Sequence, residues 1–352
     1  MTLSRVGLSL AAAGVLFSNI WLSCPAAAGG MLGAAELKDT ITVTDTQAEC
    51  PVIGCTVTVD RQKGSFRSDE KYRCPVHDIY ISPSSFEYGD MKSNLLWTAS
   101  DDMALLKKIF KVKRESRMER SNSEDAVSWN AFRYLEKEGL LAGLLSELSG
   151  KIELSPEIIY WSFSQSEGAG WTGLNRARLE FGEQIKRGSE PDIIVKTKDA
   201  VFIIEVKVTA RNETTPSPRG QEKGYLAGGG GWYKNVFTSG YDTVAKNEKK
   251  YELMRYWLLG SWLAKEYNCD FYLVSLVLAG REPGLVTTFK KHIVETENRK
   301  YMRLDWEEVY EYIVKNAPAG ADKDAVIKYF KNKTINYDAK RKLQRAFKID
   351  NP

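Results

Sequence analysis

Apolar positions in this chain fall into short runs separated by strongly polar stretches, and two such runs lie close together in residues 189–208, SEPDIIVKTKDAVFIIEVKV. The β-branched runs at 193–195 and 201–204 flank a polar turn at 196–200, which predicts two strands joined by that turn. Side chains alternate across a strand. Glu205 and Lys207 therefore share one face with Ile203, while Phe202, Ile204, Val206 and Val208 take the other. A glutamate and a lysine among core-grade neighbours are costly to bury unless something pairs with them.

Helical spacing dominates residues 121–148, where Val127, Phe132, Leu135, Leu140 and Leu144 recur on one side. Ser123 is the expected N-cap, which puts Glu124 and Asp125 in the first turn, where the helix dipole favours anions. Residues 157–164 and 177–181 read as strands, and 241–267 as one long helix with Leu253, Trp257 and Leu263 on its apolar face. FYLVSLVL at 271–278 is apolar on both faces, as a central strand is. Residues 306–314 and 324–331 read as helices, and the basic stretch 337–348 as a helical end. Between them, residues 210–240 are too long and too glycine-rich for a simple connector.

At 352 residues and 43% hydrophobic, the chain can bury one sizeable core and carry a small module. The segments are expected as an N-terminal extension (1–30), a small metal-binding module (48–97) and an α/β domain (98–352). The net charge of +4 points only weakly to a polyanionic partner, although basic residues crowd 107–120 and 323–348. Residues 1–30 resemble a secretory signal, with an apolar stretch followed by Ala26, Ala27 and Ala28. The other reading starts the protein at Met31 and makes it cytoplasmic, with no membrane partner. Reduced thiols favour that second reading.

Those thiols are Cys50, Cys55 and Cys74, which with His77 give the spacing C-x4-C-x18-C-x2-H. Two ligand pairs separated by enough chain for a hairpin suit tetrahedral Zn²⁺, and a segment this poor in apolar residues needs such a staple. A disulfide beside unrelated thiols is the alternative. A closed four-ligand site stabilises and has no open position for water.

Asp192, Glu205 and Lys207 form the second candidate group. Carboxylates at neighbouring strand ends make an oxygen-rich site for a hard cation, and an ammonium two residues on could polarise water or steady a phosphate. An ordinary glutamate–lysine pair on a hairpin is the plainer alternative. Pro191, Asp192, Glu205 and Lys207 together resemble the signature of the PD-(D/E)XK nuclease superfamily. The resemblance covers about residues 124–280, with the order helix glutamate, Pro-Asp strand, Glu-x-Lys strand.

The resemblance implies a restriction-endonuclease-like α/β core, a mixed central sheet flanked by helices, to which the zinc ribbon is an addition. It also implies hydrolysis of DNA phosphodiester bonds, with RNA not excluded. Asp192, Glu205 and the carbonyl of Val206 would hold Mg²⁺ or Mn²⁺, Glu124 would complete the metal shell, and Lys207 would serve the attacking water. Arg211, Lys246 and Arg255 are the expected substrate contacts; Arg219, Lys223 and Lys234 could grip a backbone. Glu180 and Glu183, just upstream of the site, read as surface positions, with further metal-binding or supporting carboxylates as the alternative. A homodimer is compatible with this reading, and a binding protein that keeps the fold without turnover is its rival. No P-loop is present, because residues 228–231 lack the lysine and threonine of one.

Overall fold

The two short strands form as Ile193–Lys196 and Ala200–Val206, antiparallel, with Ile193 opposite Ile204. They occupy the middle of a seven-stranded mixed sheet in a computed structural model that describes residues 35–217 and 221–349. The signal-like segment 1–30, Met31 and Arg219 lie outside the described residues. From one edge the order is Arg299–Asp305, Asp270–Val277, Ala200–Val206, Ile193–Lys196, Glu157–Tyr160, Phe163–Ser164 and Ala169–Gly170. The first three are mutually parallel, and every later pairing is antiparallel.

Alternation along the strands sorts side chains into two cores. Phe202, Ile204, Val206 and Val208 join the face covered by helices Glu124–Lys137, Trp306–Asn316 and Ala321–Asn332. Val201 and Ile203 join the face covered by Thr172–Glu180 and Tyr251–Tyr267. Glu205 and Lys207 therefore emerge on the Tyr251–Tyr267 side. That helix is the crossover between two parallel strands, and it lies close to the sheet. A Cβ on Gly260 would sit 2.2 Å from the Phe271 ring and 2.9 Å from Ile203 Cδ1.

Several expected elements differ. Residues 177–181 belong to the helix Thr172–Glu180, because Leu174, Ala177 and Phe181 follow helical spacing and meet the second core. The strand expected over 157–164 is a hairpin whose turn residues Trp161 and Ser162 have φ of 44° and 77°, the left-handed pair of a tight turn. The helix expected over 121–148 breaks at Gly139, with φ of 66°, into Glu124–Lys137 and Leu141–Ser149. The helix expected over 241–267 is a π-turn at Asp242–Asn247 followed by Tyr251–Tyr267, interrupted where Lys249 takes φ of 54°.

The basic C-terminal stretch is a β-hairpin, Thr334–Tyr337 with Leu343–Arg345, and not a helix. Pairing partners decide this: the Tyr337 amide donates to the Ser84 carbonyl at 2.9 Å and the Leu343 amide to the Asp39 carbonyl at 2.8 Å. Tyr337 and Leu343 thereby complete the small core around Cys50, Cys55 and Cys74. No helix among the described residues is long and apolar enough to cross a membrane.

Candidate active site and metal centre

The cysteine and histidine ligands come from a hairpin-rich segment with Arg73–Cys74, Ile79–Ile81 and Phe86–Tyr88 as a three-stranded sheet. Cys50, Cys55 and Cys74 are buried and His77 is half-buried, and their ligand atoms all lie within 4.8 Å of one another. Cys50 Sγ is 3.6 Å from His77 Nδ1, Cys74 Sγ is 3.8 Å from it, and Cys55 Sγ is 3.9 Å from Cys74 Sγ. Ligand bonds of about 2.3 Å in a tetrahedron place sulfurs about 3.8 Å apart. The four residues can hold a metal ion such as zinc.

The Cys74 thiol is pulled down to about 4, chiefly by the bond with Cys50 and further by the amides of His77 and Val76, against burial. Cys50 is pushed up by the same bond and by burial. Thiolate is the form that binds metals, and the amides of His77 and Val76 favour it at Cys74. The module also braces the neighbouring cleft. Its strand Phe86–Tyr88 reaches the segment before Glu124, with the Tyr88 amide donating to the Glu119 carbonyl at 2.8 Å and the Phe86 amide to Ser121 Oγ at 3.3 Å.

That cleft, about 430 Å³, is lined by Glu124, Asp125, Glu190, Asp192, Glu205, Lys207 and Glu252, with Arg117 and Arg120 at its wall. Strand pairing brings the motif residues together. The Val206 amide donates to Asp192 Oδ2 at 2.8 Å. Lys207 Nζ donates to Glu205 Oε1 and, at 3.2 Å, to Glu252 Oε2. Glu205 is 2% exposed, and its Oε2 is buried without a hydrogen-bond partner.

Burial pushes Asp192 up to about 7; Lys207 opposes this shift and the Asp125 charge adds to it. Burial, followed by the charges of Asp192 and Glu252, pushes Glu205 well above the usual carboxylate range. Burial disfavours the Lys207 charge, yet Glu205, Glu252 and Asp192 outweigh it and hold the ammonium protonated. Burial would raise Glu252, but Lys207 and Glu205 bring it down.

Ser123 caps the helix, accepting from the Ala126 amide at 3.2 Å, and so places Glu124 at the cleft mouth. Glu124 Oε1 there accepts from the amides of Val208, Thr209 and Ala210 at 2.7, 3.1 and 3.3 Å. Glu124 thus holds the end of the Glu205 strand. The chain matches no family model, no curated protein and no solved structure at a significant level.

None of the three expected substrate contacts lines the cleft. Arg211 is exposed near Glu213, 3.7 Å away, on a separate groove with Arg281 and Glu282. Lys246 is neutralised by Asp242 at 2.5 Å and Glu222 at 3.3 Å. Arg255 is drawn inward, with Nε 3.2 Å from Glu183 Oε1 and 3.0 Å from Ser189 Oγ. Glu183 is accordingly buried, not a surface position.

Sequence reasoning missed Glu252 and Glu190. Glu252 gave no local signal: it lies mid-way along the helix expected over 241–267 and falls in a first turn only because the break at Lys249 starts a new helix at Tyr251. Arg117 and Arg120 fall within the basic stretch 107–120 that the sequence marks.

Proposed function

We propose that this chain is a divalent-metal-dependent nuclease with a restriction-endonuclease-like fold, hydrolysing DNA phosphodiester bonds. The observation that carries the reading is the convergence of Asp192, Glu205 and Lys207 in one polar cleft. Three carboxylates, Asp192, Glu205 and Glu252, surround one ammonium there, so negative charge is in surplus, and the unpartnered Glu205 Oε2 lacks a donor. Hard oxygen donors around surplus negative charge fit Mg²⁺ or Mn²⁺.

Asp192, Glu205 and the Val206 carbonyl would hold that cation, which would polarise the scissile phosphate and lower the pKa of bound water. Lys207 keeps its proton on Nζ and offsets charge accumulating on the phosphoryl oxygens. Glu252 orients Lys207 through its own contact at 3.2 Å. Glu124 contributes by fixing the backbone after Val206, with its second oxygen left for the cleft. Arg117 and Arg120 supply backbone affinity that weakens as salt rises. Zinc at Cys50, Cys55, Cys74 and His77 is structural in this reading.

The test incubates the Met31 form with supercoiled plasmid, and separately with single-stranded RNA, in Mg²⁺, Mn²⁺ or EDTA, beside the Asp192→Ala protein. Nicking that requires both metal and Asp192 is expected. DNA retardation without cleavage in any metal would overturn the enzyme and leave a binding protein of the same architecture.

A further inference from the structure

Beside the acidic cleft lies a cavity of opposite charge, about 220 Å³, whose charged lining is Lys111, Arg114, Arg178, Lys186 and Glu190. Four cations face one carboxylate. Glu190 also lines the cleft, so the two spaces share a wall two residues before Asp192.

Arg178 is the buried member of this set, 4% exposed. Its Nε donates to the Ser189 carbonyl at 2.9 Å, one terminal nitrogen to Asn175 Oδ1 at 2.9 Å, and the other to Ser162 Oγ at 2.7 Å and again to Ser189. Every acceptor is neutral. The two carboxylates whose fields reach it are committed elsewhere, Glu183 to Arg255 at 3.2 Å and Glu190 to Arg114 at 3.4 Å. Among the described residues Arg178, Lys111 and Lys186 form no ion pair, and the Arg114–Glu190 contact is the only one within the lining. A buried guanidinium without a counter-ion is costly, and a bound anion removes the cost. Four of its five N–H groups are committed, so Arg178 offers an anion its charge and one N–H, and Lys111, Arg114 and Lys186 in the lining supply the remaining donors.

We infer that this cavity is a phosphate subsite which, on the reading of the cleft as a nuclease centre, receives the terminal phosphate of the strand being cut. Ligand pockets for larger molecules begin at about 300 Å³. This cavity admits a phosphate and part of one sugar, and a strand end reaches such a space more readily than the middle of a duplex.

The experiment uses the full zinc-loaded protein without Mg²⁺, so that binding is read apart from cleavage. Orthophosphate binding is measured by calorimetry on the wild type, on Asp192→Asn, and on the Lys111→Gln/Lys186→Gln double variant, whose exposed positions leave the fold intact. Oligonucleotides with a 5′-phosphate, a 3′-phosphate or hydroxyl ends are then compared by fluorescence anisotropy.

Orthophosphate should bind the wild type and Asp192→Asn alike and lose about tenfold in the double variant. One phosphorylated end should tighten binding by about tenfold over the hydroxyl form, an advantage absent from the double variant. Equal orthophosphate affinity in wild type and double variant would overturn the subsite. Orthophosphate binding without any gain from an end phosphate would overturn the strand-end assignment. Retention of both effects in a protein that never cuts plasmid would instead remove the nuclease reading and leave the subsite standing.

Discussion

The backbone amide of Val206 donates to Asp192 Oδ2 at 2.8 Å, so the first acid of the motif is bonded to the strand that carries the second. Asparagine at position 192 retains an acceptor for that amide and loses the charge. Asp192→Asn is therefore expected to keep the stability of the wild type while losing at least about 10²-fold in metal-dependent cleavage. Asp192→Ala should lose cleavage equally and also about 1–2 kcal/mol of stability through the unpaired amide. Denaturant melts beside a plasmid assay separate the two effects. Wild-type cleavage by Asp192→Asn would rule out a metal role for this carboxylate.

Arg255 belongs to a buried network with Glu183, Ser189 and Tyr225, whose hydroxyl donates to Glu183 at 2.8 Å. Removing one partner of such a pair leaves the other charge stranded, at a cost of about 3–5 kcal/mol. Arg255→Ala should thus lower thermal stability sharply and leave the DNA affinity of the folded fraction within about twofold. A stable Arg255→Ala protein with specifically weakened DNA binding would restore Arg255 as a substrate contact.

The zinc module and the cleft are mechanically joined through Glu119 and Ser121. Elemental analysis of the purified chain is expected to find one zinc, and a strong chelator should lower the melting temperature by about 5 °C or more. Cys50→Ser and Cys74→Ser should reproduce that loss before any effect on catalysis is read. Zinc-free protein with an unchanged melting temperature would show the cluster to be an ordinary set of thiols.

The central hairpin was legible because it depends on local rules: β-branched runs, a polar turn, and the alternation that sets Glu205 and Lys207 on one face. The Cys and His spacing was legible for the same reason. What escaped was decided by distant partners. Glu252 reaches the cleft only through the crossover helix, and Arg255, spaced as a helix-surface charge, turns inward because Glu183 waits beneath it. The basic C-terminus has a helix-forming composition, yet it pairs with Asp39 and Ser84, some three hundred residues upstream for the first. Where partners are remote, local propensity loses to tertiary pairing.

Lys333 provides a prediction that does not depend on the cleft. Lys333 is 5% exposed, with Nζ 3.2 Å from Asn94 Oδ1 and 5.1 Å from the Tyr329 ring centre, and among the described residues no carboxylate pairs with it. Burial pulls its pKa from 10.5 down to about 7. Between those values the unfolded chain binds a proton that the folded chain does not, so stability rises with pH across this window. Below about 7 both states are protonated and the penalty is constant; above about 10.5 both are neutral and it vanishes. The change across the window is on the order of 4 kcal/mol, spread over the rise. Lys333→Met removes the titrating group, so its unfolding free energy, measured with denaturant from pH 7 to pH 10, should follow a line flatter than the wild type's by that amount. Asn94 Oδ1 loses its donor in the variant at every pH, which displaces the line without tilting it. Parallel lines for the two proteins would show that Lys333 stays charged in the fold.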